Sequence, residues 1–484
     1  MKTHTLSALL SDIETTSLTG AETPVSGVAY RSGDVRPGDA FFCISGFKHD
    51  GHTFVMDALA RGASAVVSQH SLDIGGTPLA IVADTRAALA YAAARHFGEP
   101  SRQLDIVGIT GTNGKTTTAY LLDSILRADG RTTGLISTVE TRVGAERTSS
   151  SHTTPESADL QALFARMAAA GVGGVAMEVS SHAIDLHRVD GTHFAVAAFT
   201  NLTQDHLDYH HTLEEYWSVK KRLFTDMDVR ARVINVDDAA GAELAGTLAD
   251  VVTVGRSRSA IVRAADECSG PFSTTFTLVT PEGERSVLLP LAGAYNVENA
   301  LVAAGSACAL GTGLDSIIGG LERAPQVPGR LERVDVGQPF PVLVDYAHTP
   351  DSLEKAIIAV KAVTAGKVIV VFGCGGDRDP QKRPLMGSAA GRSADEIVIT
   401  SDNPRSEDPV GIILQVEDGV RETGARYTVE VDRRKAIASA VRMAGEGDAV
   451  LIAGKGHEDY QIFSDRTVHF DDREVAAEEL RSLC

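Results

Sequence analysis

Short apolar runs, each closed by a turn rich in Gly, Pro, Asn or Asp, recur along the chain, and helical spacing fills most of the gaps between them. Between Ala40 and Val67 an apolar AFFCISG, a polar FKHDGHT, a helical FVMDALARGA and an apolar SAVV predict strand, turn, helix and strand. Gly98 and Pro100 in ARHFGEPSRQ break the pattern, and LDIVGIT, from Leu104, opens a second strand-loop-helix unit. Beyond it TGLIST, GVAMEVS, FAVAAFTNL and ARVINVDD alternate with helical stretches. Continuous apolar strands are those covered on both faces, so a parallel sheet wrapped by helices is expected here. NVENALVAAGSACALG reads as a helix and APQVPGRLERVD as a linker punctuated by Pro and Gly. A third unit opens near Pro341, with PVLVDYA, KVIVVFGCGG, EIVITSDN and DAVLIAGKG as its strands. The expectation is an α/β chain of three domains, 1–100, 101–332 and 333–484, with no internal repeat.

Composition agrees with that division. A chain of 484 residues has the length for about three domains, and 43% hydrophobic residues can build a core in each. No stretch approaches the roughly 18 uninterrupted apolar residues of a membrane span, and MKTHTLSALLSDIETTSLTG lacks the apolar run of a secretion signal. A cytoplasmic protein with no membrane partner is expected. Cys43, Cys268, Cys308, Cys374 and Cys484 are scattered without CxxC spacing, which suggests neither a zinc site nor a disulfide framework. The formal net charge of −19 repels polyanions, so no nucleic acid is expected as a partner. An anionic nucleotide would need locally concentrated Lys, Arg and backbone N–H groups.

GITGTNGKTTT, from Gly108 to Thr118, has that character. A glycine-rich turn between an apolar strand and a helix lets several N–H groups point at one anion, and the helix N-terminus adds favourable partial charge. Gly111, Thr112, Asn113, Gly114 and Thr117 would form the cradle, Lys115 would reach the outer phosphates, and Thr116 would offer its hydroxyl to magnesium. The strict GxxxxGK[ST] pattern is not met, because its first glycine falls on Ile109. The loop alone does not separate a kinase, a motor ATPase, a GTPase and an ATP-driven ligase.

Other segments choose among these. MEVSSHAIDLHRV, TNLTQDHLDYH, GAYNVENALVA, VPGRLERV, VDYAHTPDSL, DNPRSEDP and GKGHEDYQ follow the loop in that order. Together, over nearly the whole chain, they resemble the ATP-dependent Mur ligases of bacterial peptidoglycan synthesis. The resemblance implies a small N-terminal α/β domain for the UDP end of the substrate, a central P-loop NTPase-like parallel sheet, and a C-terminal Rossmann-like domain for the incoming amino acid. It is nearest to the member that extends UDP-N-acetylmuramoyl-L-alanyl-D-glutamate, the UDP-N-acetylmuramoyl dipeptide, by its third stem residue. It also implies a monomer, ATP and Mg2+.

Each role that follows is implied by the resemblance. Glu178, at the end of the apolar GVAM run, ligates magnesium with Thr116. His206 holds a second magnesium, although that hard cation usually prefers oxygen donors. Lys220, in EEYWSVKKRLF, is a carbamylated lysine; two adjacent lysines on a helix would otherwise read as a solvated face. A carbamate turns the cation into a carboxylate-like ligand, which requires a neutral amine first. Asn296 and Asn299 sit at i and i+3 of a helix start, where both amides can face one side; the resemblance gives them adenine, and helix capping by Asn296 is the plainer reading. Arg330, Asp345 and His348 contact the rest of the nucleotide. Thr153, Thr154, Ser180 and Arg188 take the sugar and peptide portion of the UDP substrate, although a family glutamine is Leu186 here. Ser32 is a uridine-nucleotide contact, flanked by Arg31 and Gly33 where the family has Asp and Arg.

The amino-acid end can be read from residues before any family is named. Arg378, Asp402, Asn403, Arg405, Gly454 and Glu458 all follow apolar strands, so their loops can converge on one sheet edge. Arg suits bidentate capture of a carboxylate, and Glu458 suits an ammonium; a salt-bridged surface cluster is the plainer reading. In the family, Arg at the fourth place of DNPR goes with meso-diaminopimelate, and enzymes using L-lysine carry another residue there. The expected reaction is therefore ATP-dependent addition of meso-diaminopimelate through an acyl phosphate. L-lysine or another diamino acid, and a P-loop kinase, are the alternatives.

Overall fold

The structure is a computed structural model and describes residues 3–46, 49–150, 152–270 and 272–483. Phe47 and Lys48 of the expected polar turn, Ser151 and Cys484 lie outside the described residues. The chain divides into two compact units: Met1–Thr110, Gly130–Ala198 and Ser218–Val233 form the first, and Gly111–Asp129, Phe199–Trp217 and Ile234–Cys484 the second.

In the first unit, the expected elements after Ala40 are a strand Asp39–Phe42, a 3-10 turn Gly51–Phe54, a helix Val55–Ala60 and a strand Ala65–Ser68. They belong to a sheet ordered Thr15–Leu18, Leu79–Val82, Ala65–Ser68, Asp39–Phe42, Gly27–Ala29. It is parallel except for its Thr15–Leu18 edge. Asp39–Phe42 and Ala65–Ser68 are buried along their whole length, which is why each reads as an unbroken apolar run. A second run of strands in the unit is ordered Glu146–Ser149, Glu140–Val143, Thr133–Ile136, Gly174–Glu178, Asp105–Thr110, His193–Phe199. The Gly174–Glu178 strand is parallel to both neighbours, and Glu178 ends it.

In the second unit the loop from Gly111 leads into the helix Lys115–Ala128. Against that helix pack Ala294–Ala309 and Leu314–Glu322, and Gly320 lets the last approach the Ile125 backbone. Strands Val251–Gly255, Val262–Ser269, Thr274–Thr280 and Gly283–Leu289 follow one another, the last three antiparallel. These antiparallel strands, and the Glu140–Ser149 hairpin of the first unit, are additions to the purely parallel arrangement expected of the middle region. Their polar outer faces break the apolar runs that mark parallel strands.

The C-terminal sheet of this unit runs Glu332–Val334, Val342–Asp345, Ala449–Ala453, Val368–Phe372, Glu396–Ile399, Tyr427–Val429. All are parallel except Glu332–Val334, which turns part of the expected linker into an antiparallel edge strand. Helix starts are set by local chemistry. Thr349 and Ser352 form a reciprocal cap with Pro350 in the first turn, and Asp408 caps Pro409–Thr423 through the Val410 and Gly411 N–H groups. Because the strands are parallel, the loops after Asp345, Phe372, Ile399 and Ala453 open on the same carboxyl edge, where α/β sheets build ligand sites.

Candidate functional site

The glycine loop of the second unit is a cradle held from three sides. The Asn113 N–H donates to Asn201 Oδ1 at 2.9 Å, and its side-chain amide donates to Thr203 Oγ1 at 3.3 Å and Asp351 Oδ2 at 3.0 Å. The Asn113 carbonyl accepts from the Thr200 hydroxyl at 2.7 Å. Thr112 donates its N–H to the Asn201 carbonyl at 2.8 Å and its hydroxyl to Thr203 O at 3.0 Å. Gly114, at φ 87°, occupies left-handed space, and a Cβ there would collide with Asn299 Oδ1. The Lys115 ammonium folds back to donate to the Gly111 and Thr112 carbonyls at 2.9 and 2.7 Å. The buried Thr116 hydroxyl accepts from Arg330 Nη2 at 3.1 Å, and that guanidinium lies 4.6 Å from the centre of the Tyr346 ring.

Beside the loop is a cleft whose lining includes Asn113, Gly114, Thr117, Asn296, Asn299, Arg330, Asp345 and His348. Eight residues named from the sequence are thus brought to one cavity. Asn296 is not the helix cap that its position suggests. Gly293 occupies that place, while the buried Asn296 amide donates to Ala292 O at 2.7 Å and its carbonyl oxygen accepts from Asn299 Nδ2 at 3.1 Å. Burial pushes the Asp345 carboxyl up, against the opposing pull of Arg330 and the Leu331 and Ala347 N–H groups. Burial pulls His348 down, with Asp205 opposing, which favours a neutral imidazole whose Nδ1 faces Tyr346 O at 2.7 Å. For Asp205 burial acts upward, but His206, His348, Lys382 and the His206 N–H outweigh it and bring the carboxyl down to about 2. His206 stands in left-handed backbone at φ 55° with Nε2 3.5 Å from Asp205 Oδ2.

The first unit gathers another group. Glu178 is 1% exposed, and its carboxylate accepts from the Thr138 N–H at 2.8 Å and the Thr138 hydroxyl at 3.2 Å. Among the described residues no Lys, Arg or His pairs with it, which leaves the carboxyl open to a partner from outside the protein. Thr153 Oγ1 lies 3.0 Å from Thr138 Oγ1, and Thr154 donates its hydroxyl to Glu178 O at 3.0 Å. Arg188 donates to Thr154 O at 3.2 Å and pairs with Glu156 at 2.9 Å, while its Nε has no partner among the described residues. Ser180 caps the helix Ser181–Asp185 by accepting the Ala183 N–H. Ser32 opens the 3-10 turn Ser32–Asp34 and is half-buried. Lys220 is 1% exposed, against the solvated face that adjacent lysines suggest, whereas Lys221 is only half-buried.

At the carboxyl edge of the C-terminal sheet the expected loops do converge. Asn403 donates its amide to Glu458 Oε2 at 2.8 Å, and Arg405 donates Nη1 to Gly376 O at 2.7 Å. Gly454, at φ 114°, comes so close that a Cβ would sit 2.6 Å from Asp402 Oδ2. Arg378 is exposed and donates to the Asp377 carbonyl at 3.0 Å. Behind the two loops the buried Arg383 forms a two-point pair with Glu407 at 2.8 and 2.9 Å. The sequence reading passed over Lys455, Asp351 and Arg383. Lys455 lies inside the GKGHE segment, but a lysine ordinarily marks solvent.

Three family models match successive stretches of the chain. They are the Mur ligase family, catalytic domain, over residues 24–102, the Mur ligase middle domain over 109–307, and the Mur ligase, glutamate ligase domain, over 329–456. The chain is 45% identical over 476 residues to the UDP-N-acetylmuramoyl-L-alanyl-D-glutamate–2,6-diaminopimelate ligase of Bacillus licheniformis, covering 96% of this chain and 97% of that one. The ligase of the same description from Geobacillus kaustophilus is 46% identical over 450 residues, 91% of this chain and 92% of that one. A solved UDP-N-acetylmuramoyl-L-alanyl-D-glutamate–2,6-diaminopimelate ligase superposes with a TM-score of 0.71 at 32% identity, covering 100% of this chain and 99% of its own. The MurF ligase from Thermotoga maritima, solved in complex with ADP, shares the fold at a TM-score of 0.66 and 19% identity, over 94% of this chain and 98% of its own.

Proposed function

This chain belongs to the Mur ligase family, and from that membership we propose that it joins meso-diaminopimelate to UDP-N-acetylmuramoyl-L-alanyl-D-glutamate at the expense of ATP, in the making of peptidoglycan precursors. The observation that supports this most directly is chemical. One compact unit carries both an anion cradle with a cleft beside it and, at the carboxyl edge of its C-terminal sheet, a cluster of Arg405, Asn403 and Glu458 suited to a zwitterion. A kinase has no need of that cluster.

A carboxylate is a poor electrophile. Transfer of the ATP γ-phosphoryl group to the glutamate carboxylate makes an acyl phosphate, which a neutral amine attacks; the tetrahedral intermediate then expels phosphate. The chain's task is to gather anions and orient them. Lys115 exchanges its loop carbonyls for phosphate oxygens, and the N–H groups at the start of the helix Lys115–Ala128 hold the remainder. Arg330 reaches the cradle from the segment before the C-terminal sheet and adds positive charge beside Thr116. Asn296, Asn299, Asp345 and His348 line the cleft for base and ribose. Thr153, Thr154, Ser180 and Arg188 receive the sugar and dipeptide, with Ser32 toward the uridine end.

Magnesium binds through one or two carboxylates plus substrate phosphates and water, and Glu178 and the Thr116 hydroxyl, each a hard oxygen donor, are the proposed holders. When bound, it neutralises phosphate charge. His206 is the proposed holder of a second ion. The burial of Lys220 is consistent with carbamylation, which would supply a further oxygen donor. Residues 1–100, 101–332 and 333–484 are the proposed domains for UDP substrate, ATP and amino acid, in line with the three matched stretches. A monomer working in the cytoplasm completes the proposal; among the described residues no helix is long and apolar enough to cross a membrane.

A panel assay tests the reading. Purified protein, ATP, magnesium and the UDP-linked dipeptide are mixed with meso-diaminopimelate, L-lysine, D-alanyl-D-alanine or glutamate, and phosphate release and product mass are recorded. Turnover is expected with meso-diaminopimelate, and phosphate release without any amino acid would defeat the proposal.

A further inference from the structure

Lys455 follows Gly454 and is completely buried. An ammonium taken out of water must be compensated by acceptors or lose its proton. Here Nζ donates to the Tyr460 carbonyl and, at 3.3 Å, to Asn403 Oδ1, and it stands 3.6 Å from Glu458 Oε2. Asn403 Oδ1 also accepts the Ile462 N–H at 3.0 Å. Two donors on one oxygen fix which way the amide faces, so Asn403 Nδ2 is turned to Glu458 Oε2. Glu458 Oε1 accepts no hydrogen bond among the described residues. The buried ammonium therefore does more than fasten the loop, because it sets the orientation of one polar group and the surroundings of another.

We propose that Lys455 is a positioning residue for amino-acid recognition, orienting the Asn403 amide and holding the Glu458 carboxylate so that Oε1 is left to receive a substrate ammonium group. The inference rests on the ligase reading and deepens it. Glu458 is faced by Asp402, Lys455, Arg405 and Arg433, and by Tyr346 and Tyr460. Burial pushes its carboxyl up and Asp402 adds to that, while Lys455, the Asn403 amide and Arg405 oppose. The sign follows. With Lys455 gone, one opposing cation is lost, the carboxyl rises further, and a larger fraction is protonated at neutral pH. A protonated Glu458 attracts an ammonium weakly, and raising the pH restores the attraction.

The test compares Lys455→Gln and Lys455→Met with wild type in the full chain, by steady-state phosphate release from neutral to alkaline pH. Expected is a KM for meso-diaminopimelate raised about tenfold or more at neutral pH and recovering as pH rises, with kcat and the KM for ATP within about twofold. A purely structural lysine would raise all the KM values together, without pH dependence, and that result overturns the proposal, as does an unmoved KM. Carboxyl 13C titration of Glu458, assigned with Glu458→Gln, gives a second readout. In wild type, meso-diaminopimelate should lower the Glu458 midpoint, and an unaffected midpoint overturns the proposal even if both variants fail to fold. Wild type with no amino-acid-dependent turnover sinks the ligase reading instead; the Glu458 midpoint, expected higher in Lys455→Gln than in wild type, then still decides the role of Lys455.

Discussion

Arg405 stands in left-handed backbone at φ 53°, a conformation that favours glycine, and its N–H and Nη1 are tied to Ile462 O and Gly376 O. Strain of that kind persists where surrounding contacts over-determine the geometry. On the proposed reading, Arg405→Ala removes the bidentate partner of the far carboxylate of meso-diaminopimelate. Truncating one partner of a desolvated charge pair costs about 2 to 4 kcal/mol, so kcat/KM for meso-diaminopimelate is expected to fall roughly 30- to 800-fold. L-Lysine has no second carboxylate and should lose much less, so the ratio of the two kcat/KM values checks the assignment. An unchanged ratio would remove Arg405 from the specificity of the site. The sequence pointed to this arginine because it follows an apolar strand and a guanidinium suits a carboxylate, while its link to meso-diaminopimelate came from the family resemblance. It did not announce the burial of Lys220 beside the half-buried Lys221, which depends on the packing of one helix face.

Among the elements, the loop and the helix Ala294–Ala309 are fitted to each other at Gly114 and Asn299. Gly114→Ala adds left-handed strain of about 1 to 2 kcal/mol and displaces the Asn299 amide. Calorimetry should show ATP binding weakened roughly tenfold or more, with circular dichroism unchanged; wild-type affinity would mean that the loop is not the cradle. Strands such as Val368–Phe372 and Ala449–Ala453 were legible because both faces are covered and the whole run is apolar. Glu332–Val334 was not. Its exposed, charged positions look like linker, and only pairing with Val342–Asp345 makes it a strand. Loop convergence at the carboxyl edge was foreseeable from parallel topology. The tie between Asn113 and Asp351 was not, since no local pattern connects residues 238 positions apart.

At the scale of the whole molecule, a net charge of −19 opposes the approach of ATP and of the UDP substrate, while Lys115, Arg330, Lys355 and Lys382 attract them close by. Repulsion from distant charges is screened beyond a Debye length of about 8 Å at physiological salt, and short contacts much less. The association rate for a fluorescent ATP analogue should therefore rise as salt is added from low ionic strength, and stopped-flow mixing would show it. A steep fall would mean that the local cations dominate at long range too. The cradle also has a history. Its outer supports, Arg330 and Asp351, are made more than two hundred residues after Thr116 and Asn113, which they hold. A nascent chain emerges N-terminus first, so the ribosome exposes the glycine turn well before the wall that faces it. Unfinished or truncated molecules should thus be unable to retain ATP, and cells would be spared half-made copies that hydrolyse it to no purpose.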